Sequence, residues 1–300
     1  MAIAVSNLVK KYGEQFALND VSFEAGKGSI TGFLGPNGAG KSTTMKILTG
    51  YLQADSGSAT VCGMDVSTQG NLVKQKIGYL PESNALYYDM YVKEYLDFAG
   101  SVYGIKNIAQ QIAAAIQKVG LTPEAHKKIG QLSKGYKQRV GLAAAIIHNP
   151  EVLILDEPTS GLDPNQIGEI RQVIKELSGD KTILLSTHIM QEVEAICDRV
   201  VIINKGKIVA DDKLANLHQA QSQPILRVSF GEVLEAEWLQ RLPSILLAEK
   251  TDAYNWQLTT QNLAAARKEL MQLALDHNLN IQSLQEGGSL EELFRKLTTT

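Results

Sequence analysis

The chain has 300 residues, 44% of them hydrophobic and 20% charged, enough apolar side chain for one large or two modest cores. A net charge of −3 and a pI near 6.0 leave no basic surface to argue for nucleic acid as a partner. Cys62 and Cys197 lie far apart without metal-ligand spacing, no apolar run approaches the ~18 residues of a membrane span, and the first residues lack a signal-type stretch. The expectation is a cytoplasmic chain whose membrane contact comes only through a partner.

Residues 2–35 alternate like antiparallel strands and include Tyr12, which on its own reads as a surface aromatic in a turn before Gly13. Ser29 to Leu34 then reads as a short buried strand, and Ser42 to Thr49 as the start of a helix. Between them, Gly35-Pro-Asn37-Gly38-Ala39-Gly40-Lys41-Ser42 is a full match to the G-x-x-x-x-G-K-[ST] phosphate loop. Gly35, Gly38 and Gly40 allow a tight fold whose N–H groups point at phosphate oxygens, at a helix end that favours anions. Lys41 reaches the outer phosphates, the Ser42 hydroxyl holds Mg2+, and Thr43 adds a phosphate contact. Alone, this loop says only that a nucleoside triphosphate binds.

Further strands are expected around residues 57–80, with Gly57 and Gly63 as punctuation. The last, Lys76 to Leu80, runs into Pro81-Glu82. Between Glu82 and Leu132 the pattern turns helical. Val92, Tyr95, Leu96, Ala99, Val102 and Tyr103 share one face, read as core, and Ile108, Ile112, Ile116 and Val119 form a second stripe. The segment closes on Leu132-Ser133-Lys134-Gly135-Tyr136, where Ser133 and Gly135 can offer a hydroxyl and a backbone N–H at a helix start.

Val152 to Leu155 is a run of four apolar residues, as in a parallel strand buried on both faces, and it ends in Asp156-Glu157. At the carboxyl edge of a sheet, Asp156 would hold Mg2+ and Glu157 would accept a proton from an attacking water. Two solvated acids would be the better reading but for Pro158-Thr-Ser-Gly-Leu-Asp163 directly after. Asp163-Pro164 opens the next helix as cap and first residue. Strands at 182–186 and 200–203 follow, with His188 just past the first, where a lone histidine is usually structural.

The phosphate loop, Leu132 to Arg139 and Ile154 to Asp163, in this order, resemble the nucleotide-binding subunit of an ABC transporter. That resemblance implies an α/β fold: a P-loop ATPase domain over 1–215, its mixed sheet joined by an antiparallel subdomain and a helical subdomain at about 83–148. It implies ATP and Mg2+, adenine stacking on Tyr12, a γ-phosphate contact from His188, and a metal oxygen from the residue at Glu82. It also implies a head-to-tail homodimer in which Ser133 and Gly135 of one copy face the phosphate loop of the other. Two positions depart from the usual pattern: Glu82 replaces a glutamine, and Lys134 and Tyr136 alter the usual Leu-Ser-Gly-Gly-Gln. Both departures are similar to the gliding-motility-associated and drug-resistance-type branch, which serves ABC-2-type permeases, mostly exporters, from the inner face of the cell membrane. A non-transport ABC ATPase, a translation or chromosome-maintenance factor, is the alternative, opposed by a single ATPase unit without long heptads or a basic stripe. A P-loop kinase or GTPase would have no use for the later motifs.

The composition shifts after about residue 215. From residue 216 onward 7 Lys and Arg face 10 Asp and Glu, so the acidity lies in the tail. A small α+β unit is expected over 223–300: a strand at Ile225 to Phe230, a helix near 233–242, one or two strands in 244–260 and a helix from Asn262 to His277. Ser289 to Glu292 matches a capping box before a last helix. The unit carries no metal, nucleophile or phosphate motif. It is either a packing domain or a dimerisation or regulatory contact.

Overall fold

Alternation of buried and exposed residues along Ile3–Tyr12 (β1) and Gln15–Ala25 (β2) makes an antiparallel hairpin, with Ile3 opposite Ala25 and Tyr12 opposite Gln15. Ile30–Leu34 (β3) instead has all five residues buried, and so do Val152–Asp156 (β7) and Thr182–Thr187 (β8) along their lengths. Strands without a polar face belong in a parallel sheet covered on both sides. The computed structural model, which describes residues 1–220, 224–287 and 290–298, shows that sheet.

After β3 come Lys41–Leu48 (α1), Ser56–Val61 (β4), Met64–Asp65 (β5), Gly70–Lys76 (α2) and Ile77–Leu80 (β6). Three helices follow, Val92–Val102 (α3), Ile108–Lys118 (α4) and Lys134–Ile146 (α5). Beyond β7 lie Pro164–Leu177 (α6), then β8, Met190–Ile196 (α7), Arg199–Asn204 (β9), Lys207–Lys213 (β10) and Leu214–Ala220 (α8). One sheet has the order β2-β1-β4-β5 and the other β10-β9-β3-β8-β7-β6. In the second, β9, β3, β8, β7 and β6 are mutually parallel and β10 pairs antiparallel to β9. Helix α1 touches strands of both sheets. Its Met45 and Leu48 join Leu18 and Phe23 from one sheet and Phe33, Ile154 and Leu184 from the other in one core. Each such fully buried chain contributes roughly 1.5–3 kcal/mol. The start of α1 is therefore anchored by packing.

Parallel register places Leu34 beside Thr187 and Asp156 beside Ser186. The loops after β3, β7 and β8 thus leave from the same carboxyl edge, where open α/β sheets bind ligands.

The structure corrects parts of the sequence reading. Residues 70–76, expected within a run of strands, form α2. Val73 is buried there, and Lys74 and Lys76 sit in the last turn, where the helix dipole favours cations. The stripe read as core along α3 holds at Val92 and Leu96, but Val102 is 72% and Tyr103 41% exposed, because the end of the helix packs through Gly100 on Ile108 and Ile147, and Tyr103 covers only one ring face by stacking on His148.

The chain divides into two units between Leu214 and Ala215. In the second, Ile225–Phe230 (β11), Ala236–Gln240 (α9), Ile245–Lys250 (β12), Asn255–Thr260 (β13), Leu263–Asp276 (α10), Ile281–Gly287 (β14) and Leu290–Thr298 (α11) follow in order. Its strands form an antiparallel sheet β12-β13-β11-β14. Leu226, Val228, Phe230, Trp256 and Leu258 pack with Ala266 and Leu270 of α10. Strand β14 has little apolar pattern and is held by its pairing to β11, so periodicity does not betray it. Ser289 of the expected capping box lies outside the described residues.

Candidate functional site

The loop after β3 takes its shape from contacts that exclude side chains. A Cβ on Gly35 would lie 2.5 Å from the Ile203 carbonyl oxygen of β9, and one on Gly40 would lie 2.6 Å from that of Ala17. Gly40 also has φ +114, a left-handed conformation open to glycine. The Gly35 N–H donates to the Thr187 carbonyl at 3.2 Å, tying the loop's first residue to the end of β8. The Thr44 N–H donates to the Gly40 carbonyl at 3.0 Å and begins the ladder of α1. The N–H groups before it point out of a helix end with positive partial charge. They border a cavity of about 330 Å3 lined by Ala17, Asn37, Gly38, Gly40, Lys41, Ser42, Thr43, Glu82 and Glu157.

Lys41 is 6% exposed, and its Nζ donates to the carbonyls of Gly35 at 2.8 Å and Pro36 at 3.2 Å. The same nitrogen lies 3.2 Å from Glu157 Oε1, while Glu157 Oε2 lies 2.8 Å from His188 Nδ1. A carboxylate only accepts, so Nδ1 carries the hydrogen and Nε2 is left for a ligand. Glu157 has φ 49, uncommon outside glycine, and its N–H donates to both the carbonyl and the hydroxyl oxygen of Ser186 at 3.1 Å. That strained position puts the side chain directly past β7 and over the phosphate loop.

Asp156 is 1% exposed. Its Oδ1 accepts the Ser42 hydroxyl at 3.2 Å and also the Ser186 hydroxyl. Tyr79 of β6 shares this corner: burial first, then the charges of Asp156 and Glu82, pushes its hydroxyl well above the usual phenol range. The site thus holds one cation among three carboxylates, an arrangement completed by a cation or by displacement of Glu157 from Lys41.

The remaining residues singled out from the sequence fall into two groups. Gly35 and Ala39 back the loop, with Ala39 buried in the core, and do not line the cavity. Tyr12 is 55% exposed at the tip of the β1–β2 hairpin, also outside the lining. Ser133 caps α5, its hydroxyl accepting the Tyr136 N–H at 3.4 Å, and neither it nor Gly135 lines the cavity. Gly135 is covered by Gln166 of α6, whose Cδ would be 2.8 Å from an added Cβ. Sequence reasoning passed over Ser186, Ala17, and a buried cluster of Thr159, Thr187 and Glu192. The available signal was a pair of hydroxyl residues, Ser186 and Thr187, closing the strand after the apolar Ile183, Leu184 and Leu185. A second hollow of about 350 Å3, beside the end of α1 and β4, has no titratable lining side chain and is assigned no chemistry.

Comparison with known proteins bears on the family and the fold. Residues 18–160 match the family model described as ABC transporter. The chain is 35% identical to the linearmycin resistance ATP-binding protein LnrL of Bacillus subtilis (strain 168), covering 99% of this chain and 98% of that one. It is 38% identical to the Nod factor export ATP-binding protein I of Burkholderia orbicola (strain AU 1054) over 68% of each chain. Among solved structures, an ATP-binding subunit of an ABC transporter superposes with a TM-score of 0.67 at 29% identity, covering 74% of this chain and 94% of the other.

Proposed function

The chain belongs to the ABC transporter family as an ATP-binding, ATP-hydrolysing subunit, and from that premise we propose that it powers an ABC-2-type permease, working as an exporter through ATP-driven closure of a head-to-tail homodimer. The observation that carries this reading is a half-built site. The phosphate loop, Asp156, Glu157 and His188 are linked around one cavity, whereas Ser133 is exposed and is not among the residues that line it. A second copy, turned head to tail, would supply Ser133 and Gly135 to the open side. Binding then closes the dimer, and hydrolysis removes the differential affinity that held it closed. The drug-resistance and export names of the two relatives support export, as do Glu82 and the Ser-Lys-Gly-Tyr signature.

Each residue's part follows from its place. Lys41 leaves Glu157 for the outer phosphates, and the loop N–H groups of Asn37 to Thr43 hold the rest. Glu157 accepts a proton from the attacking water, with His188 fixing its carboxylate and meeting the γ-phosphate through Nε2. Tyr12 stacks on adenine from the hairpin tip. Ser42, Asp156 and Glu82 would hold Mg2+, whose charge would offset that of the phosphates. The donors fit: all are oxygens, and Ser42 Oγ and Asp156 Oδ1 stand 3.2 Å apart, close to the about 3 Å between neighbouring ligands of an octahedral Mg2+. Among the described residues no group of three His, Cys, Asp or Glu forms a ready metal cage, as suits an ion that is shared with phosphates and water.

Among the described residues no helix is long and apolar enough to cross a membrane; the family membership supports a permease as the partner that spans it. Beyond Glu82, exposed aromatics offer it a surface: Tyr87 packs edge-on to Phe98 at 5.8 Å between ring centroids, and both are about half exposed. When the chain is purified from membranes with the permease expressed beside it, Tyr87→Ala and Phe98→Ala should lose the permease yet keep ATP binding. Recovery of the parent chain with ribosomes or chromosomal DNA instead would favour the non-transport alternative.

Glu82 gives a second expectation. It lines the cavity with Ser42 and lies two residues past the end of β6, whereas Asp156 and Glu157 sit at the end of β7. Glu82→Gln keeps an oxygen for Mg2+ and should remain active, whereas Glu82→Ala should need more Mg2+ for half-maximal single-turnover hydrolysis. If the Gln variant is dead while Glu157→Gln turns over, Glu82 is the proton acceptor and the roles are exchanged.

A further inference from the structure

Behind Glu157 and His188 lies a buried carboxylate that the chemistry above does not use. Glu192, on α7, is 1% exposed. Its Oε2 accepts the Thr187 hydroxyl at 2.5 Å and its Oε1 accepts the Thr159 hydroxyl. Arg171 Nη2 of α6 stands 3.9 Å from Oε1. A carboxylate this deep is costly unless hydrogen-bonded and paired, and here both oxygens and the charge are met.

What those partners belong to gives the arrangement its meaning. Thr159 is two residues after Glu157, in the loop where the Ser160 N–H bonds back to the Glu157 carbonyl at 3.1 Å. Thr187 is the residue before His188, and its hydroxyl also accepts the Ile189 N–H at 3.1 Å. One side chain therefore grips the two loops that must stay in register for the 2.8 Å contact between His188 Nδ1 and Glu157 Oε2. Arg171 extends the grip to α6, the helix that begins at Asp163 and covers Gly135 through Gln166.

We infer that Glu192 is a positioning residue for ATP hydrolysis: with Thr159, Thr187 and Arg171 it fixes the His188–Glu157 pair and ties that pair to the helix beneath the signature. The inference rests on the reading of Glu157 as base and His188 as its partner. A misplacement of about 1 Å in such a pair costs on the order of 100-fold in rate. Glu192 is not among the residues that line the cavity, and its hydrogen bonds go to Thr159 and Thr187, so its loss should spare nucleotide binding.

The test compares Glu192→Gln and Thr159→Val with the parent, in the full chain, by ATP titration, single-turnover hydrolysis, thermal unfolding and 15N resonances of the His188 ring. The ring is identified by the signals that vanish in His188→Ala. Both variants should bind ATP within about twofold of the parent, hydrolyse it roughly 10–100-fold more slowly, and shift the His188 nitrogens as the bond to Glu157 loosens. Thr159→Val removes one hydroxyl without a buried charge, so it decides the matter if Glu192→Gln does not fold. Parent-like hydrolysis in a folded variant, or an unmoved His188 ring, overturns the inference. If His188→Ala and Glu157→Gln themselves hydrolyse ATP normally, the fault lies in the underlying catalytic reading.

Discussion

Glu157→Gln will bind ATP and fail to turn it over. The amide keeps the shape that fits between Lys41 and His188 but cannot take a proton, and loss of a general base lowers rates by about 10²–10⁴-fold. The contact with Lys41 adds a second effect. Glu157 Oε1 occupies Lys41 Nζ at 3.2 Å, so the carboxylate competes with phosphate for that cation. Neutralising it should raise ATP affinity as the rate collapses, and the two changes in opposite directions distinguish a lost base from a damaged fold. With hydrolysis blocked, ATP should hold the closed state, seen as a dimer on size-exclusion chromatography that requires nucleotide. Undiminished ATPase activity would remove Glu157 from the role, and a variant that stays monomeric at saturating ATP would count against the trans assignment of Ser133 and Gly135.

Much of this site is legible in the sequence because its chemistry is local. The phosphate loop is a contiguous run whose glycines, lysine and hydroxyl each answer to one contact, and Asp156-Glu157 closes a strand whose unbroken apolar run betrays burial. What escapes the sequence is tertiary. That Gly35 yields to the Ile203 carbonyl and Gly40 to that of Ala17 depends on strands from opposite ends of the unit. Ser186 meets Asp156 only because β7 and β8 run side by side. Glu192 reads on α7 as an ordinary helix glutamate, and only packing against Thr159 and Arg171 makes it a buried anchor. The exposed end of α3 errs the other way. Helical spacing puts Val102 on the apolar stripe, yet it is exposed while Gly100 in the same turn is packed against Ile108 and Ile147, because periodicity fixes a stripe and not which side of it the neighbours cover.

Lys41→Ala should abolish useful ATP binding and destabilise the fold, for separable reasons. Its Nζ is the cation of the cavity lining, and a charge-assisted bond is worth about 1.5–3 kcal/mol, so loss of its phosphate contact weakens binding by about 10–150-fold. The same nitrogen holds the Gly35 and Pro36 carbonyls and faces Glu157, which is only 6% exposed. Truncation leaves that carboxylate buried with His188 alone, and breaking a buried pair costs roughly 3–5 kcal/mol. The double variant Lys41→Ala with Glu157→Gln separates the two effects. It should recover much of the melting temperature lost by Lys41→Ala, because no unpaired charge remains. It should not recover nucleotide binding, because no cation has returned. Recovery of both would place the phosphate contact elsewhere in the loop, and recovery of neither would mean that the bonds to Gly35 and Pro36, more than the charge pair, hold the loop in its binding shape.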